Sequence, residues 1–261
     1  MLIDLHTHTH PLSWDSVLTP NDVIDVAKQR GLDGVVFTEH DFAFDPEEAR
    51  DLARRHRFLV FAGIEVNVEE GHALVYGLHT YEVAMHRARE LVPRVRDAGG
   101  AIVAAHPYRR WMPEPVVLQT MEWDDLHEYR QALRRAEGVG LFDLERLSAM
   151  DVLNGRATRK QNGFSHELCT WLGLPRMGAS DSHQPEDVGR AATYFERPIA
   201  DEGELVSELL AGRVWAIDLT RGELTEDPQY HDVPGDLHDR WEQIAQQRRE
   251  WKHTRAVEGR D

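Results

Sequence analysis

Short apolar runs alternate along this chain with longer amphipathic segments, and this alternation restricts the fold more than any other feature of the sequence. Helix signals lie between the runs: Thr19 can cap a helix, and Pro20 fits its first turn. Repetition of strand, helix and strand predicts parallel pairing in an α/β fold, and about seven or eight strands favour a closed barrel over an open sheet. The runs are residues 2–5, 34–37, 58–64, 73–76, 101–105, 149–153, 177–179 and 214–217.

Polar side chains follow many of these runs at the point where the run ends. Glu65 follows the run at 58–64, and His106 follows the run at 101–105. Because the carboxyl ends of parallel strands in a barrel converge on one rim, where barrel active sites are built, we expect these side chains to meet. The residues at run ends are His6, His8, Glu39, His40, Glu65, His106, Asn154, Asp181 and His183.

Two pairs among these residues have a spacing suited to binding one ion. One residue separates His6 from His8, and one separates Asp181 from His183, while alternate residues of a strand point to the same face. Each pair is therefore expected to aim two ligand atoms at one point. Imidazole and carboxylate ligands suit zinc, manganese or iron, so we predict a metalloenzyme. The single cysteine, Cys169, is expected to pack in the core.

Five motifs, taken in order, resemble the PHP (polymerase and histidinol phosphatase) family. They are H-x-H at 6–8, T-E-H-D at 38–41, G-I-E at 63–65, A-H-P at 105–107 and S-D-S-H at 180–183. The resemblance extends over about residues 2–195. It implies a distorted, TIM-like (β/α)7 barrel with two or three divalent metal ions at its rim. It also implies hydrolysis of a phosphate ester, the usual reaction of such proteins.

The resemblance implies three metal positions that share ligands. Glu65 bridges the first and second positions, while His40 and His183 hold the third, completed by Asp15. Asp15 departs from the family pattern because it lies further along the chain from the H-x-H motif than usual, and His10 can take its place. The implied ligands are His6, His8, Glu65 and Asp181 for the first metal, Glu65 and His106 for the second, and Asp15, His40 and His183 for the third.

Further side chains are expected to contact the phosphate or move protons. His72 matches a histidine of many relatives, and it is a metal ligand, a phosphate contact or a structural residue. Asp181 and His183 can assist proton transfer. Arg109 and Arg156 follow strand ends and can hold the non-bridging phosphate oxygens.

A metal-dependent phosphoesterase is the function that these observations favour. Clustered divalent ions lower the pKa of a bound water to about 7, so a metal-activated hydroxide is the expected nucleophile. The formal charge of −16 argues against extended nucleic-acid binding and favours a small phosphomonoester, a nucleotide or an oligonucleotide end. Two alternatives remain open: an amidohydrolase-type enzyme that cuts C–N or C–O bonds, and a non-catalytic binding module stabilised by metal.

The chain is expected to form one barrel followed by an extension. Residues 1–220 are predicted to form the barrel, with an elaborated loop at 107–148 near the mouth of the site. Residues 221–261 are predicted to be a polar C-terminal extension with a docking helix. No apolar run approaches the roughly 20 residues of a membrane span, so we expect a cytoplasmic protein with no membrane partner.

Overall fold

Nine strands form one sheet in the computed structural model of the chain, which describes residues 1–112 and 147–220. All but one of these strands contain a predicted apolar run. The exception is β8, where Thr193 interrupts the apolar pattern. The strands are β1 (Leu2–Thr7), β2 (Gly34–His40), β3 (Leu59–Val68), β4 (Gly71–Tyr76), β5 (Ala101–Ala105), β6 (Ala149–Asn154), β7 (Arg176–Ala179), β8 (Ala191–Phe195) and β9 (Val214–Asp218).

The sheet curls into a nearly closed barrel. Its strand order is β7-β6-β5-β4-β3-β2-β1-β8-β9, with parallel pairing within β1-β2-β3 and within β5-β6-β7. A parallel bridge between Thr7 and Ser182 connects the end of β1 to the segment after β7. With helices packed against the strands, this architecture is an α/β, distorted TIM-like barrel, which confirms the predicted fold class.

Strand β4 departs from the parallel pairing that the alternating pattern predicts. It is antiparallel to both β3 and β5. Only Glu69 and Glu70 separate β3 from β4, and so short a connection joins antiparallel strands, whereas parallel strands need a long crossover. The register places His72 opposite Asn67 and Ala105. Because β4 runs against its neighbours, His72 at its start lies at the rim where those neighbours end.

The helices of the described residues cover the strands. Thr19 caps the first helix as predicted: its side chain accepts a hydrogen bond from the backbone N–H of Asp22. Val23 and Ile24 on the buried face of this helix pack against the sheet. The helices are α1 (Pro20–Gln29), α2 (Pro46–His56), a 3₁₀ turn (Val83–His86), α3 (Ala88–Asp97), α4 (Tyr108–Trp111), α5 (Arg159–Leu172) and α6 (Glu202–Leu210).

An apolar cluster fills the barrel beneath the rim. The hydroxyl of Tyr76 donates a 3.0 Å hydrogen bond to the carbonyl of Leu5, so the one polar group of this large side chain has a partner. Burial of each large apolar side chain contributes about 1.5–3 kcal/mol. Cys169 is buried in another cluster, as predicted. The cluster inside the barrel includes Ile3, Leu5, Val36, Leu74, Tyr76, Val103 and Met177.

Parts of the predicted domain organisation lie outside the described residues. Of the predicted loop at 107–148, the structure describes α4 with its flanking residues and the two residues before β6. Residues 113–146 and the predicted extension at 221–261 lie outside, so the elaborated loop, the docking helix and the boundary at 220 stay predictions. In the described part of the chain, no helix has the length and apolar content needed to cross a membrane.

Candidate metal centre

The rim of the barrel brings eight potential metal ligands into one cluster. They come from the ends of β1, β2 and β5, from β3, from the start of β4 and from the segment after β7. In the described part of the chain, groups with ligand atoms within 4.8 Å of one another are His6 with His8 and Glu65, His6 with His106 and Asp181, Glu65 with His72 and His106, and His8 with His40 and His183. These groups overlap, and together they contain every predicted ligand except Asp15.

Glu65 lies at the centre of this cluster and is 1% exposed. Its Oε1 atom lies 2.7 Å from Nδ1 of His72 and 2.9 Å from Nε2 of His106. Its Oε2 atom lies 2.9 Å from Nδ1 of His40. One carboxylate therefore faces imidazoles from three different strands, which is the arrangement expected of a bridging ligand.

The two histidines of the H-x-H motif face both carboxylates. Nε2 of His6 and Nε2 of His8 are 2.9 Å apart, and each lies 3.3 Å from Oε2 of Glu65. Oδ1 of Asp181 lies 3.6 Å from the first nitrogen and 3.5 Å from the second, and it accepts no hydrogen bond although it is buried. A buried carboxylate oxygen without a donor is costly unless a cation binds it. These four side chains therefore fit a divalent cation.

His8 also lies against His40 and His183, two of the predicted ligands of the third metal. His8, His40 and His183 form one of the close groups, and the rings of His8 and His40 stack with their centroids 4.3 Å apart. Oδ2 of Asp15 lies 3.1 Å from Nε2 of His183 and 3.4 Å from Nε2 of His40. The structure therefore brings Asp15 to this group. His10 is exposed and belongs to none of the close groups in the described residues.

The electrostatics of the cluster favour the metal-binding protonation state in four of its members, namely Glu65, Asp181, His106 and His183. Burial raises the pKa of Glu65 and of Asp181, but the nearby imidazole of His6, with further hydrogen bonds, outweighs it and holds both pKa values well below the usual range. Burial lowers the pKa of His106 and that of His183 to about 4. Ionised carboxylates and neutral imidazoles are the forms that ligate a metal.

His8 is protonated at neutral pH, and Glu65, against the effect of burial, raises the pKa of His40 as well. Burial lowers its pKa, but Asp181 and Glu65 beside it raise the pKa by more, to about 10. The proton on His8 therefore lies between two buried carboxylates. A divalent cation bound between the two carboxylates would neutralise them in place of the His8 proton.

A second layer of hydrogen bonds orients His8. Oγ of Ser13 lies 3.1 Å from Nδ1 of His8 and donates to Oε2 of Glu39 at 2.5 Å. The buried Glu39 also accepts from the backbone N–H and the hydroxyl of Thr9. Because the Ser13 proton goes to Glu39, its oxygen accepts from Nδ1–H of His8, which leaves Nε2 for a metal. Sequence analysis placed Glu39 at the rim but gave no role to Ser13.

Asp4 is a buried carboxylate that joins β1 to the segment after β7. Its Oδ1 atom accepts from the backbone N–H of Ser180 at 2.9 Å, and Oδ2 accepts from that of Gly189 at 3.1 Å. Burial raises the pKa of Asp4 to about 6. These bonds fix the H-x-H motif relative to Asp181. Asp4 lies two residues before His6 in β1, and this spacing was the available signal for its role.

Asp151 is a buried carboxylate in β6 that the sequence analysis missed. It accepts from the backbone N–H of His106 at 3.3 Å and from Nδ2 of Asn154 at 3.2 Å. Nδ2 of Asn154 also donates to Asp181 at 3.2 Å. Burial raises the pKa of Asp151 to about 7. A carboxylate inside the apolar run at 149–153 was the signal that could have identified it.

The D-x-H pair does not lie on a strand, so the predicted strand alternation is wrong for these residues. Strand β7 ends at Ala179, and Asp181 has a left-handed φ of 53°. A turn therefore brings Asp181 and His183 to the cluster. Non-glycine residues in this conformation are strained by about 1–3 kcal/mol, and such residues concentrate at functional sites.

The two arginines predicted to contact phosphate lie beside the cluster. The guanidinium of Arg109 donates to Oδ2 of Asp181, and Nη1 of Arg156 lies 2.8 Å from Nδ1 of His183. Both cationic groups can therefore reach an anion bound at the cluster. A cavity of about 240 Å³ opens next to Arg109, and its lining includes Glu70, His72, His106, Arg110 and Trp111.

Two family models match the chain. The model described as the PHP domain matches residues 4–159. The model described as PHP-associated matches residues 159–214. The first of these covers more than half of the chain and includes the ligand motifs up to A-H-P, and the second includes the D-x-H pair.

Individual proteins are also similar to this chain. Uncharacterized protein MJ1587 of Methanocaldococcus jannaschii is 28% identical over 117 residues, which are 41% of this chain and 68% of that protein. A two-domain protein of Bacteroides vulgatus, described as containing a predicted PHP-like metal-dependent phosphoesterase, has a TM-score of 0.53 and 19% identity, with 84% of this chain covering 64% of that one. The chain thus spans less than two thirds of the Bacteroides protein.

An amidohydrolase structure shares the fold as well. This protein of Chromobacterium violaceum, with bound sulfate, has a TM-score of 0.52 and 21% identity, with 83% of this chain covering 98% of that one. At such low sequence identities, the two solved structures show only that the Bacteroides and Chromobacterium proteins share the barrel fold of this chain.

Proposed function

This chain belongs to the PHP domain family, and on that premise we propose that it is a metal-dependent phosphoesterase that hydrolyses a small phosphate ester. The observation that carries the proposal is the buried cluster around Glu65, where Oδ1 of Asp181 faces two imidazoles without a hydrogen bond. Nitrogen and oxygen donors of this kind fit zinc, manganese or iron.

The ligand groups on the rim contain enough donor atoms for two or three divalent ions. Bound divalent ions lower the pKa of water and offset the negative charge of phosphate oxygens. His72 shares an oxygen of Glu65 with His106, so it belongs to the second position as a ligand or as a phosphate contact. We assign His6, His8, Glu65 and Asp181 to the first ion, Glu65 and His106 to the second, and Asp15, His40 and His183 to the third.

The arginines would hold the phosphate during the reaction. Arg109 and Arg156 lie beside different members of the cluster, so their guanidinium groups can donate to different non-bridging oxygens. Arg109 contacts Asp181, and an ion bound by Asp181 would free the guanidinium to bind the substrate.

Proton transfer is assigned to side chains at the edge of the cluster. Burial lowers the pKa of His183 to about 4, so its imidazole is neutral and can accept a proton at neutral pH. The contact between Nδ1 of His72 and Glu65 leaves Nε2 of His72 to face the ester. Asp181 can accept a proton where ligation leaves one of its oxygens free.

The substrate is proposed to be small because the chain is strongly acidic. A formal charge of −16 repels the long phosphate backbone of a nucleic acid. A single phosphate group, in contrast, can be neutralised locally by the ions and the two arginines. Small phosphomonoesters, nucleotides and oligonucleotide ends satisfy this condition.

Hydrolysis of p-nitrophenyl phosphate and bis-p-nitrophenyl phosphate, with manganese or zinc added, tests this proposal. We expect turnover that chelator abolishes and that His8→Ala lowers by at least 100-fold. His56→Ala is the matched control, since His56 lies at the end of α2 and contacts Asn21 rather than the cluster. Metal content is measured on each variant, so that loss of binding is separated from loss of chemistry.

The same preparations distinguish the two alternatives. If the protein hydrolyses amides or lactones but neither phosphate ester, the result would favour an amidohydrolase. The Chromobacterium protein with this fold is described as one. A melting temperature that rises with metal, without turnover of any of these compounds, would favour a metal-stabilised binding module. Either result would reject the proposed activity.

A further inference from the structure

A cavity adjoins the metal cluster on one side of the rim. It lies between the tight turn that joins β3 to β4 and helix α4, and its volume is about 240 Å³. His72 and His106 line this cavity and also belong to the close group around Glu65. An ester whose phosphate lies at the second ion position can therefore extend its alcohol part into the cavity.

Two of the charged side chains that line the cavity already have partners outside it. Oε1 of Glu69 lies 3.6 Å from Nε of Arg87. The guanidinium of Arg109 donates to Asp181, and we have assigned it to the phosphate. These two charges are therefore compensated without any contact to the alcohol part of an ester.

Glu70 and Arg110 also line the cavity, but within the residues that the structure describes neither side chain is paired. Oε2 of Glu70 is buried and accepts no hydrogen bond. The exposed guanidinium of Arg110 forms no ion pair there, even with Glu70. The two elements are nevertheless close, since a Cβ on Gly71 would lie 3.8 Å from the Cβ of Arg110. A buried carboxylate oxygen without a donor is costly, so the cavity presents one acceptor and one donor to a ligand.

We infer that this cavity binds the alcohol part of the substrate, and that this part is a small polyol or sugar. The inference rests on the proposed phosphoesterase function, because a phosphate at the cluster directs the alcohol part into the cavity. A hydroxyl group both donates and accepts hydrogen bonds, so neighbouring hydroxyls can donate to Glu70 and accept from Arg110. The cavity, at about 240 Å³, is smaller than the roughly 300–1,000 Å³ of sites for drug-sized ligands, so the alcohol has only a few carbons.

Alcohols that carry a charge of their own match the cavity less well. An ammonium group donates but cannot accept, so it would leave Arg110 without a partner. A carboxylate or a second phosphate accepts but cannot donate, so it would leave Oε2 of Glu70 without a donor. Because Glu70 and Arg110 carry opposite charges, the lining favours a neutral polar group over either ion.

Two esters of three-carbon alcohols test the inference. Glycerol 1-phosphate and n-propyl phosphate share a phosphorylated primary alcohol and differ only in hydroxyl groups, so their ratio of kcat/KM reports on hydroxyl recognition. We expect Glu70→Ala to lower this ratio about tenfold, the effect of losing one hydrogen bond to a charged group. Arg110→Ala should lower the ratio as well, and because Arg110 is exposed, this variant provides a second test if Glu70→Ala folds poorly.

Glu82→Ala and Arg96→Ala are the matched controls. Oε2 of Glu82 lies 3.1 Å from Nη2 of Arg94, and Arg96 is 76% exposed on α3. Neither Glu82 nor Arg96 lines the cavity. Their loss should leave the ratio unchanged, and metal content is measured on every variant.

Two further esters test the chemical class of the alcohol. The phosphate esters of 3-aminopropanol and 3-hydroxypropanoate place an ammonium and a carboxylate at the far end of the same three-carbon chain. Glycerol 1-phosphate should have the highest kcat/KM of the four esters. A preference for the ammonium that Glu70→Ala abolishes, or for the carboxylate that Arg110→Ala abolishes, would overturn the assignment of a polyol.

A binding measurement separates failure of the cavity from failure of the proposed function. Titration calorimetry of the zinc-loaded protein compares glycerol 1-phosphate with n-propyl phosphate. Tighter binding of the glycerol ester that Glu70→Ala abolishes, without hydrolysis of either ester, would support the cavity and reject the phosphoesterase. Hydrolysis with a ratio that both Glu70→Ala and Arg110→Ala leave unchanged would overturn the cavity and retain the phosphoesterase.

Discussion

Ser13 donates its hydroxyl proton to Glu39 across a 2.5 Å hydrogen bond, directly behind the metal cluster. The same hydroxyl oxygen faces Nδ1 of His8 at 3.1 Å. A carboxylate, a hydroxyl and an imidazole therefore form a chain that ends at the candidate ligand nitrogen. Histidine ligands commonly depend on such a carboxylate to fix the tautomer and the orientation of the ring.

Glu39→Gln is expected to weaken metal binding about tenfold. The glutamine amide brings two N–H donors to a place where Ser13 and Thr9 already donate, so the Ser13 hydroxyl must turn and no longer accepts from His8. Competition with a chromogenic chelator measures the affinity, and circular dichroism confirms that the variant is folded.

Two further variants complete this test. Glu47→Gln is the control, because Glu47 is 77% exposed on α2 and pairs with Arg50 rather than with the cluster. Ser13→Ala should weaken binding by a similar factor, since it breaks the same chain at its middle. Metal affinity that is unchanged in a folded Glu39→Gln would show that Glu39 only anchors the loop at Thr9.

Protonated His8 is expected to stabilise the metal-free protein at neutral pH, and this contribution should decline at alkaline pH. The pKa of His8 rises from 6.5 to about 10 on folding, so its stabilising contribution is complete below pH 6.5 and is lost as the pH rises toward 10. Below pH 6.5 two effects oppose each other: the lowered pKa values of His106 and His183, about 4, remove stability as the pH falls, whereas the raised pKa values of Asp4 and Asp151, about 6 and about 7, add it. Melting temperatures from pH 6.5 to 10 measure the alkaline loss.

His8→Gln tests the assignment of this alkaline loss. Without the imidazole, the loss of stability above pH 6.5 should be much smaller. His56→Gln serves as the surface control, since its ring contacts Asn21 and lies outside the cluster. A loss above pH 6.5 that persists in His8→Gln would assign the alkaline effect to another group.

Metal binding at about pH 8 is expected to release at least one proton. His8 holds a proton at this pH because its pKa is about 10, and it must lose that proton before Nε2 can ligate. His106 and His183 are already neutral and release none, whereas Glu65 raises the pKa of His40, so His40 can add to the release. Titration calorimetry in two buffers with different ionisation enthalpies counts the protons. A heat of binding independent of the buffer would contradict the assignment of His8 as a ligand.

Much of the candidate site could be anticipated because its signals are local. A histidine or carboxylate at the end of an apolar run needs only the barrel topology to reach the rim, and this applies to His40, Glu65 and His106. The α/β barrel itself follows from the alternation of runs and amphipathic segments. The structure also brings Asp15 to His40 and His183, as the family resemblance implied.

The remaining features depend on contacts between distant parts of the chain. The bond from Ser13 to Glu39 joins residues 26 positions apart, and no local pattern indicates it. The antiparallel direction of β4 follows from the tight connection after β3, which the apolar pattern does not encode. The left-handed conformation of Asp181 is imposed by the packing around it.

Gly178→Ala tests how closely the barrel is packed where it nears closure. A Cβ atom on Gly178 would lie 2.8 Å from the carbonyl oxygen of Ala192 and 3.3 Å from the side chain of Ala216, so β7 has no room for a methyl group against β8 and β9. Overpacking of this kind costs about 1–3 kcal/mol, and we expect a loss of that size in the free energy of unfolding measured with urea. Gly163→Ala is the matched control, since a Cβ there meets nothing within 4 Å and alanine in α5 should add about 0.5–1 kcal/mol. Equal stability of the two variants would show that β7 can move away from β8 and that the barrel is more loosely closed than the contacts at Gly178 indicate.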